Sequence, residues 1–275
     1  MRPRLLKGKT IAIVGAGQIG GSIIRCLAEH RPSLSLLAFD RNRRLAARVS
    51  RCAEWRPTLE SDLTGADVVI LSLPIPDIIE YLFKIGSRHG DRPLLVLDTG
   101  STKSLILQEA DRHRTSFDFV GLHPLAGTEK AGWDGSDPAM FDGHVIVHCP
   151  TRGSGVAVAR ELIRLLHGRP VAMAAGVHDR LAATAIGLPH LLAFAAQGLD
   201  RGRGNLLRAG SWESLTRVAA SDPAMVAGLL SSNAKEMRRV LRAFKAELTG
   251  LEKALGHNSP TALTQALRRR RRRDP

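Results

Sequence analysis

Aromatic side chains are scarce: one tyrosine, three tryptophans and seven phenylalanines among 275 residues. Because hydrophobic residues still make up 44% of the chain, the interior must be filled by Leu, Val, Ile and Ala. Few rings remain to stack on nucleic-acid bases. Cysteine is sparse too. Cys26, Cys52 and Cys149 are odd in number and lack C-x-x-C or metal-ligand spacing, which argues against a disulfide scaffold and for a reducing, cytoplasmic setting, with no metal site expected. Long apolar runs are missing as well. "MRPRLLKGKT" leads directly into the short "IAIV", so neither export nor a membrane span of about 18 to 20 residues is expected.

Acidic residues are outnumbered, 26 against 40 Lys and Arg, for a net charge of +14. Six arginines, Arg268 to Arg273, form one run, and with Asp274 that tail supplies +5 of the +14. The remaining +9 is spread along the chain. This distribution suits an anionic small molecule better than nucleic acid.

What the sequence does contain is periodic structure. Short apolar runs at 10–14, 34–39, 67–73, 93–98 and 118–122 alternate with helical patterns at about 18–30, 41–53, 76–88 and 102–112, the signature of a parallel sheet with crossover helices. "HVIVHC" (144–149), the helix "GVAVARELIRLLHG" and "RPVAMA" (169–174) extend the same sheet. From about residue 177 only helices are expected. "VHDRLAATAIGLPHLLAFAAQG" is Ala-rich and interrupted by Pro189, where an interior proline costs about 3 kcal/mol and predicts a kink. The segment starting at Asp222 and Pro223, an N-cap followed by a first-turn proline, reads as one amphipathic helix of about 30 residues, roughly 45 Å long. A helix that long favours a homodimer, with an intrachain bundle helix as the plainer alternative. The expected fold is α/β: a dinucleotide-binding domain with a doubly wound parallel sheet at 1–175, a smaller all-helical substrate and dimerisation domain at 176–267, and a disordered Arg-rich tail at 268–275.

"IAIVGAGQIGGS" places Gly15, Gly17 and Gly20 in G-x-G-x-x-G spacing after a strand and before a helix, and Asp40 ends a second strand 20 residues beyond Gly20. This is the Rossmann fingerprint: a tight turn, a close backbone approach to pyrophosphate, close helix–strand packing, and a carboxylate for ribose hydroxyls. A dinucleotide there is expected to touch Gly15, Gly17, Gln18, Ile19, Gly20, Asp40 and Arg41, then Ser72, Pro74 and Asp98 at later strand ends. Asp40 repels a 2′-phosphate and favours NAD over NADP, although Arg41, Arg43 and Arg44 soften that repulsion.

The stretch "FVGLHPLAGTEKAGW" delivers His123 from a strand into a Pro- and Gly-rich loop. In an open parallel sheet, ligands bind beyond the carboxyl ends of the strands. A histidine there, with an ordinary pKa of about 6.5, can take a proton from a substrate hydroxyl near neutral pH. The plainer alternative is a packed core histidine.

Taken in order, "GAGQIGGS", "LDTGSTKSLI", "GLHPLAGTEKAGW", "HDRLAATAIGLPHLLAFA" and "WESLTRVAASDP" resemble the prephenate/arogenate dehydrogenase family of tyrosine biosynthesis over roughly residues 9 to 250. The resemblance implies an NAD-linked oxidative decarboxylation of a cyclohexadienol, with His123 as the catalytic base and Ser101 hydrogen-bonding near it. It further implies that His190 and Arg217 bind substrate, and that Glu129 and Lys130 belong to the active-site loop. Each has a plainer reading: Ser101 as a helix cap near Thr102, His190 as packing beside Pro189, and Arg217 as a surface ion-pair partner. Lys103 either steadies its loop or faces solvent, and Asp179 either serves the site or caps its helix. The chain departs from the family pattern at Ile186 and Gly187, where relatives commonly carry Ser-His, and at Ser214, where many carry an acid. Among enzymes the nearest rival is a 4-amino-4-deoxyprephenate dehydrogenase. A β-hydroxyacid dehydrogenase is disfavoured because no lysine occurs between Lys130 and Lys235. The non-enzyme alternative is a dinucleotide-sensing Rossmann protein with a basic tail.

Overall fold

The computed structural model describes residues 4–30, 33–57, 65–87, 93–113, 115–128, 130–150, 155–199 and 208–271. Glu129 and Arg272 to Pro275 lie outside the described residues.

One eight-stranded sheet has the order β3-β2-β1-β4-β5-β6-β7-β8, built from β1 (Thr10–Val14), β2 (Ser35–Phe39), β3 (Glu54–Arg56), β4 (Val68–Leu71), β5 (Leu95–Asp98), β6 (Asp118–Pro124), β7 (Val145–Pro150) and β8 (Arg169–Ala172). All neighbours pair in parallel except β6 with β7, where His123 opposes Val147. The central strands are apolar on both faces because helices cover both. One face packs Ile11, Ile13, Ile23, Ile24 and Leu27 with Leu162 and Ile163, and the other packs Ala12, Val14, Val69, Ile78 and Leu82. The crossovers are α1 (Gln18–Ala28), α2 (Ala46–Val49), α3 (Ile75–Gly86), α4 (Ser104–Arg112) and α5 (Gly155–Leu165).

The helix expected at 41–53 contracts to a 3-10 turn, Arg43–Leu45, and the single turn of α2. Asn42 starts that turn by accepting the Arg44 N–H at 3.1 Å, and the residues that follow are drawn into the edge strand β3, which pairs with β2.

Beyond β8 only helices follow among the described residues: α6 (Ala175–Ala182), α7 (Leu188–Leu199), α8 (Gly210–Thr216), α9 (Pro223–Ser232), α10 (Ala234–Gly256) and α11 (Pro260–Arg270). A π turn at Ala183–Gly187 joins α6 to α7, so the break expected at Pro189 becomes a local widening. The extra residue in the turn absorbs the hydrogen bond that proline cannot make. The resulting helix, Ala175–Leu199, is 25 residues long; its most apolar 18-residue stretch has a mean hydropathy of 1.3, and only 22% of that stretch is buried. By length and composition it is long and apolar enough to cross a membrane, a test that the core helices of soluble proteins also pass. Its His178 and Asp179, however, bond into the sheet domain.

Asp222 caps α9 through the Ala224 N–H at 3.0 Å, as its position before Pro223 suggests. The single 30-residue helix expected there is in fact two. Asn233 breaks it with φ −119° and ψ 27°, because its amide Nδ2 turns inward and donates to the Asp179 carbonyl at 2.7 Å. The tail also differs from expectation. Arg268 to Arg270 form the last turn of α11, where positive charge suits the helix C-terminus and Arg270 Nε reaches Glu247 Oε2 of α10 at 2.6 Å.

Candidate active site

Strand order reverses at β1, whose neighbours are β2 and β4. Such a switch point opens a crevice at the strands' carboxyl ends. Gly15 sits there with φ +94°, and a Cβ on it would meet the Ser72 carbonyl oxygen at 2.2 Å. A Cβ on Gly20 would lie 1.9 Å from the Gly15 carbonyl oxygen. Both positions are closed by backbone. Gly17, the N-cap residue of α1, has nothing within 4 Å of its Cβ position and no side chain capping the helix. The free amides of a helix N-terminus beside open space form a cradle that fits a pyrophosphate. Asp40 Oδ2 accepts the Ala16 N–H at 2.8 Å and Oδ1 the Asn42 N–H at 2.7 Å. These bonds leave lone pairs on both oxygens for hydroxyl donors. The residues fit a dinucleotide.

Other members of the expected cofactor set have different partners. Gln18 turns its amide to the loop after β6, donating to Thr128 Oγ1 at 2.7 Å and the Lys130 carbonyl at 2.6 Å. Ile19 packs against the core, Arg41 is exposed, and exposed Pro74 caps α3. Ser72 Oγ accepts from Thr99 Oγ1 at 3.1 Å. Asp98, expected at the cofactor, is instead fully buried in an ion pair with Lys103. Lys103 does not face solvent: it too is fully buried, and its Nζ also donates to the Leu122 carbonyl at 2.6 Å. Burial pushes the Asp98 carboxyl pKa up against the opposing pull of the Lys103 ammonium. The ammonium thus grips the backbone one residue before His123.

His123 closes β6 with 6% of its surface exposed. Its Nδ1 lies 2.8 Å from His178 Nε2, and His178 Nδ1 lies 2.8 Å from Asp179 Oδ1. Asp179 also accepts the backbone N–H groups of Lys103 and Ser104, each at 2.8 Å. It therefore caps α4 of the sheet domain from α6, its own helix. Ser101, half-buried in the bend before α4, is not that cap.

The family model described as "Prephenate dehydrogenase, nucleotide-binding domain" matches residues 24–173, and "Prephenate dehydrogenase, dimerization domain" matches residues 174–269. The chain belongs to the prephenate dehydrogenase family. It is 30% identical to a prephenate dehydrogenase of Lactococcus lactis over 87% of this chain and 69% of that one. It is 28% identical to a cyclohexadienyl dehydrogenase of Zymomonas mobilis over 90% of this chain and 88% of the relative. Its fold matches the crystal structure of an A. aeolicus prephenate dehydrogenase in complex with hydroxyphenyl propionate and NAD+, with a TM-score of 0.85, 23% identity and 97% of each chain covered.

Against that family, the structure draws His123, His178, Asp179, Lys103 and Asp98 into one buried cluster. The role of His178 escaped sequence reasoning. It stands in the quoted "HDRLAATAIGLPH" block, but partnership with a residue 55 positions away leaves no local signal. Half-buried His190 uses Nδ1 on the Ile186 carbonyl at 2.9 Å. Arg217 is exposed at the start of a 3-10 turn, and the Lys130 side chain is exposed. Where relatives carry a first histidine, a Cβ on Gly187 would lie 2.3 Å from Met237 Sδ, so α10 occupies that space.

The cluster sets an acid limit on stability. Burial disfavours the Asp179 carboxylate, but hydrogen bonds from His178, Ser104 and Lys103 outweigh it and hold the pKa at about 2, against an ordinary 3.8. A depressed carboxyl pKa contributes stability that is present above the unfolded value and lost as pH falls toward the folded one, here on the order of 2 kcal/mol between about pH 4 and pH 2. His123 is held well below its ordinary 6.5, first by burial and then by His178 and Lys103. Below that value the unfolded chain takes the proton first and native stability declines. Urea unfolding from pH 7 to pH 3 is expected to show both decreases, and Asp179→Asn to flatten the more acidic one.

Proposed function

We propose that this chain catalyses the oxidative decarboxylation of prephenate or arogenate with NAD, giving 4-hydroxyphenylpyruvate or tyrosine. The observation that carries the proposal is His123, held at the carboxyl end of β6 with Nδ1 occupied by His178 and Nε2 left for a ligand. In this reading Nε2 accepts the proton of the ring hydroxyl. As that O–H bond breaks, its electron pair forms the carbonyl-like C–O bond and the carbinol hydrogen leaves with its pair. A dinucleotide held at Gly15, Gly17 and Asp40 would supply the acceptor for that hydride. Loss of the ring carboxylate as carbon dioxide sends the C–C bonding pair into the ring, which becomes aromatic as the carbonyl oxygen becomes a phenolate and takes its proton back from His123. Arg217 and His190 serve the substrate's anionic groups, a guanidinium being suited to bidentate contact with a carboxylate. Ser101 follows β5, and Lys130 belongs to the loop that Gln18 tethers.

The choice of NAD rests on Asp40, whose carboxylate is fixed by two backbone N–H groups where a 2′-phosphate would otherwise sit. Asp40→Ser is expected to raise kcat/KM for NADP relative to NAD by at least about tenfold, equivalent to about 1.4 kcal/mol of relieved repulsion. Steady-state assays with both dinucleotides read this directly. Prephenate, arogenate and 4-amino-4-deoxyprephenate assayed side by side test the reaction itself. NAD reduction with prephenate or arogenate is expected, and inactivity with both would reject the proposal.

A second copy of the chain is the proposed cover for the apolar helix Ala175–Leu199, together with exposed Leu215, Met225, Leu248 and Leu255. Light scattering is expected to give the mass of a homodimer. Three free cysteines, with the buried Cys26 and Cys149 thiols pushed up to about 11, suit a reducing compartment such as the cytoplasm.

A further inference from the structure

We infer that His178 is a positioning residue for the base: by accepting the Nδ1–H of His123 it holds that ring in the tautomer whose Nε2 carries a lone pair. Asp179 takes three donors, the N–H groups of Lys103 and Ser104 and the Nδ1 side of His178, each at 2.8 Å. An ionised carboxylate only accepts, so His178 Nδ1 carries hydrogen. A neutral His178 then has its lone pair on Nε2. That atom lies 2.8 Å from His123 Nδ1, so one proton sits between the rings and it belongs to His123. The rings meet edge-on, with centroids 5.0 Å apart and planes at 73°, which suits an in-line N–H···N bond rather than stacking.

The surroundings disfavour the alternative, a doubly protonated His178 donating to His123. Both rings are buried, at 6% and 3% exposure, and the ammonium of Lys103 sits on the Leu122 carbonyl beside them. The Asp98 carboxylate is already paired with that ammonium, so Asp179 is the negative charge left to answer any new cation. When His123 accepts a proton at Nε2 it becomes that cation. Its Nδ1–H···Nε2 bond to His178 is then charge-assisted, and Asp179 faces the charge through the second imidazole. The proton stays on His123 until decarboxylation leaves a phenolate oxygen, which takes it back. Because Asp179 also caps α4 and Asn233 donates to its backbone carbonyl, the tautomer lock is anchored in both halves of the chain.

This inference rests on His123 being the base, so its test includes a readout that needs no turnover. In the full-length protein with 15N-labelled histidine, the wild-type spectrum near neutral pH is expected to show His123 protonated at Nδ1 and bare at Nε2. His178→Leu is expected to lower kcat at least about a hundredfold, since a wrong tautomer at a catalytic histidine costs up to about ten-thousandfold. The dissociation constant for NAD should stay within about threefold, because uniform binding is untouched. His178→Gln keeps an oxygen acceptor and is expected to recover at least about tenfold of that loss. A wild-type proton on Nε2, or equal losses in the two variants, would overturn the inference. The wild-type spectrum and the Gln variant decide the matter even if Leu impairs folding. Wild-type inactivity on every cyclohexadienyl substrate would instead defeat the proposed reaction and leave the tautomer measurement standing.

Discussion

His123→Asn is expected to lower kcat at least about a hundredfold while leaving NAD binding nearly unchanged, the lower range of a lost general base. Asparagine keeps a polar side chain that can still meet His178 Nε2, so the cluster with Asp179 persists. What it lacks is a nitrogen that can take a proton near neutral pH. The residual rate should lose the wild type's dependence on the base's titration, because the remaining groups only bind and orient. Stopped-flow measurement of NAD reduction gives the chemical step, and fluorescence titration gives the binding control. Full turnover by the variant would remove His123 from its role.

The second large effect concerns folding. Lys103→Met is expected to destabilise the protein by about 3 to 5 kcal/mol, the cost of leaving one member of a buried ion pair alone. Lys103 and Asp98 are both fully buried, and the ammonium also satisfies the Leu122 carbonyl. Without it the Asp98 carboxylate must be buried unpaired or take up a proton. Its native pKa is already raised by burial, and the substitution raises it further. A raised carboxyl pKa means that the folded state binds the extra proton, so the penalty grows as pH rises above about 4. Urea unfolding at pH 7 and pH 4.5 should therefore show the larger loss at pH 7. Adding Asp98→Asn should restore much of it, because the carboxylate is then gone. A pair that only faced solvent would be worth about 1 kcal/mol or less, so the magnitude alone separates the readings.

Some of this site is legible without coordinates because its signals are local. Glycines at 15, 17 and 20 followed by Asp40 occupy consecutive units of one βαβ element, where a turn, a helix N-terminus and a strand exit are neighbours in the chain. His123 is equally readable: a strand ending in a histidine and a proline puts that histidine at the sheet's edge. Lys103 is not. Nothing in "GSTKSL" says whether its lysine faces water, since the answer depends on Asp98 and Leu122, which other strands bring to it. The 30-residue amphipathic pattern beginning at Pro223 carries no warning that Asn233 turns inward to the carbonyl of Asp179, 54 residues earlier.

By itself, the amino-acid order determines the two-part architecture, the phosphate cradle and the placing of one histidine beyond a strand, because hydrophobic period, backbone-permissive glycines and capping residues act over a few positions. Only the tertiary structure decides the state of that histidine. Its protonation depends on burial, on the ammonium of Lys103 and on the His178–Asp179 pair, and these reach it from β5, α4 and α6 through distances that fall steeply with misplacement. Electrostatic environment is a property of assembled neighbours, and folding assembles them.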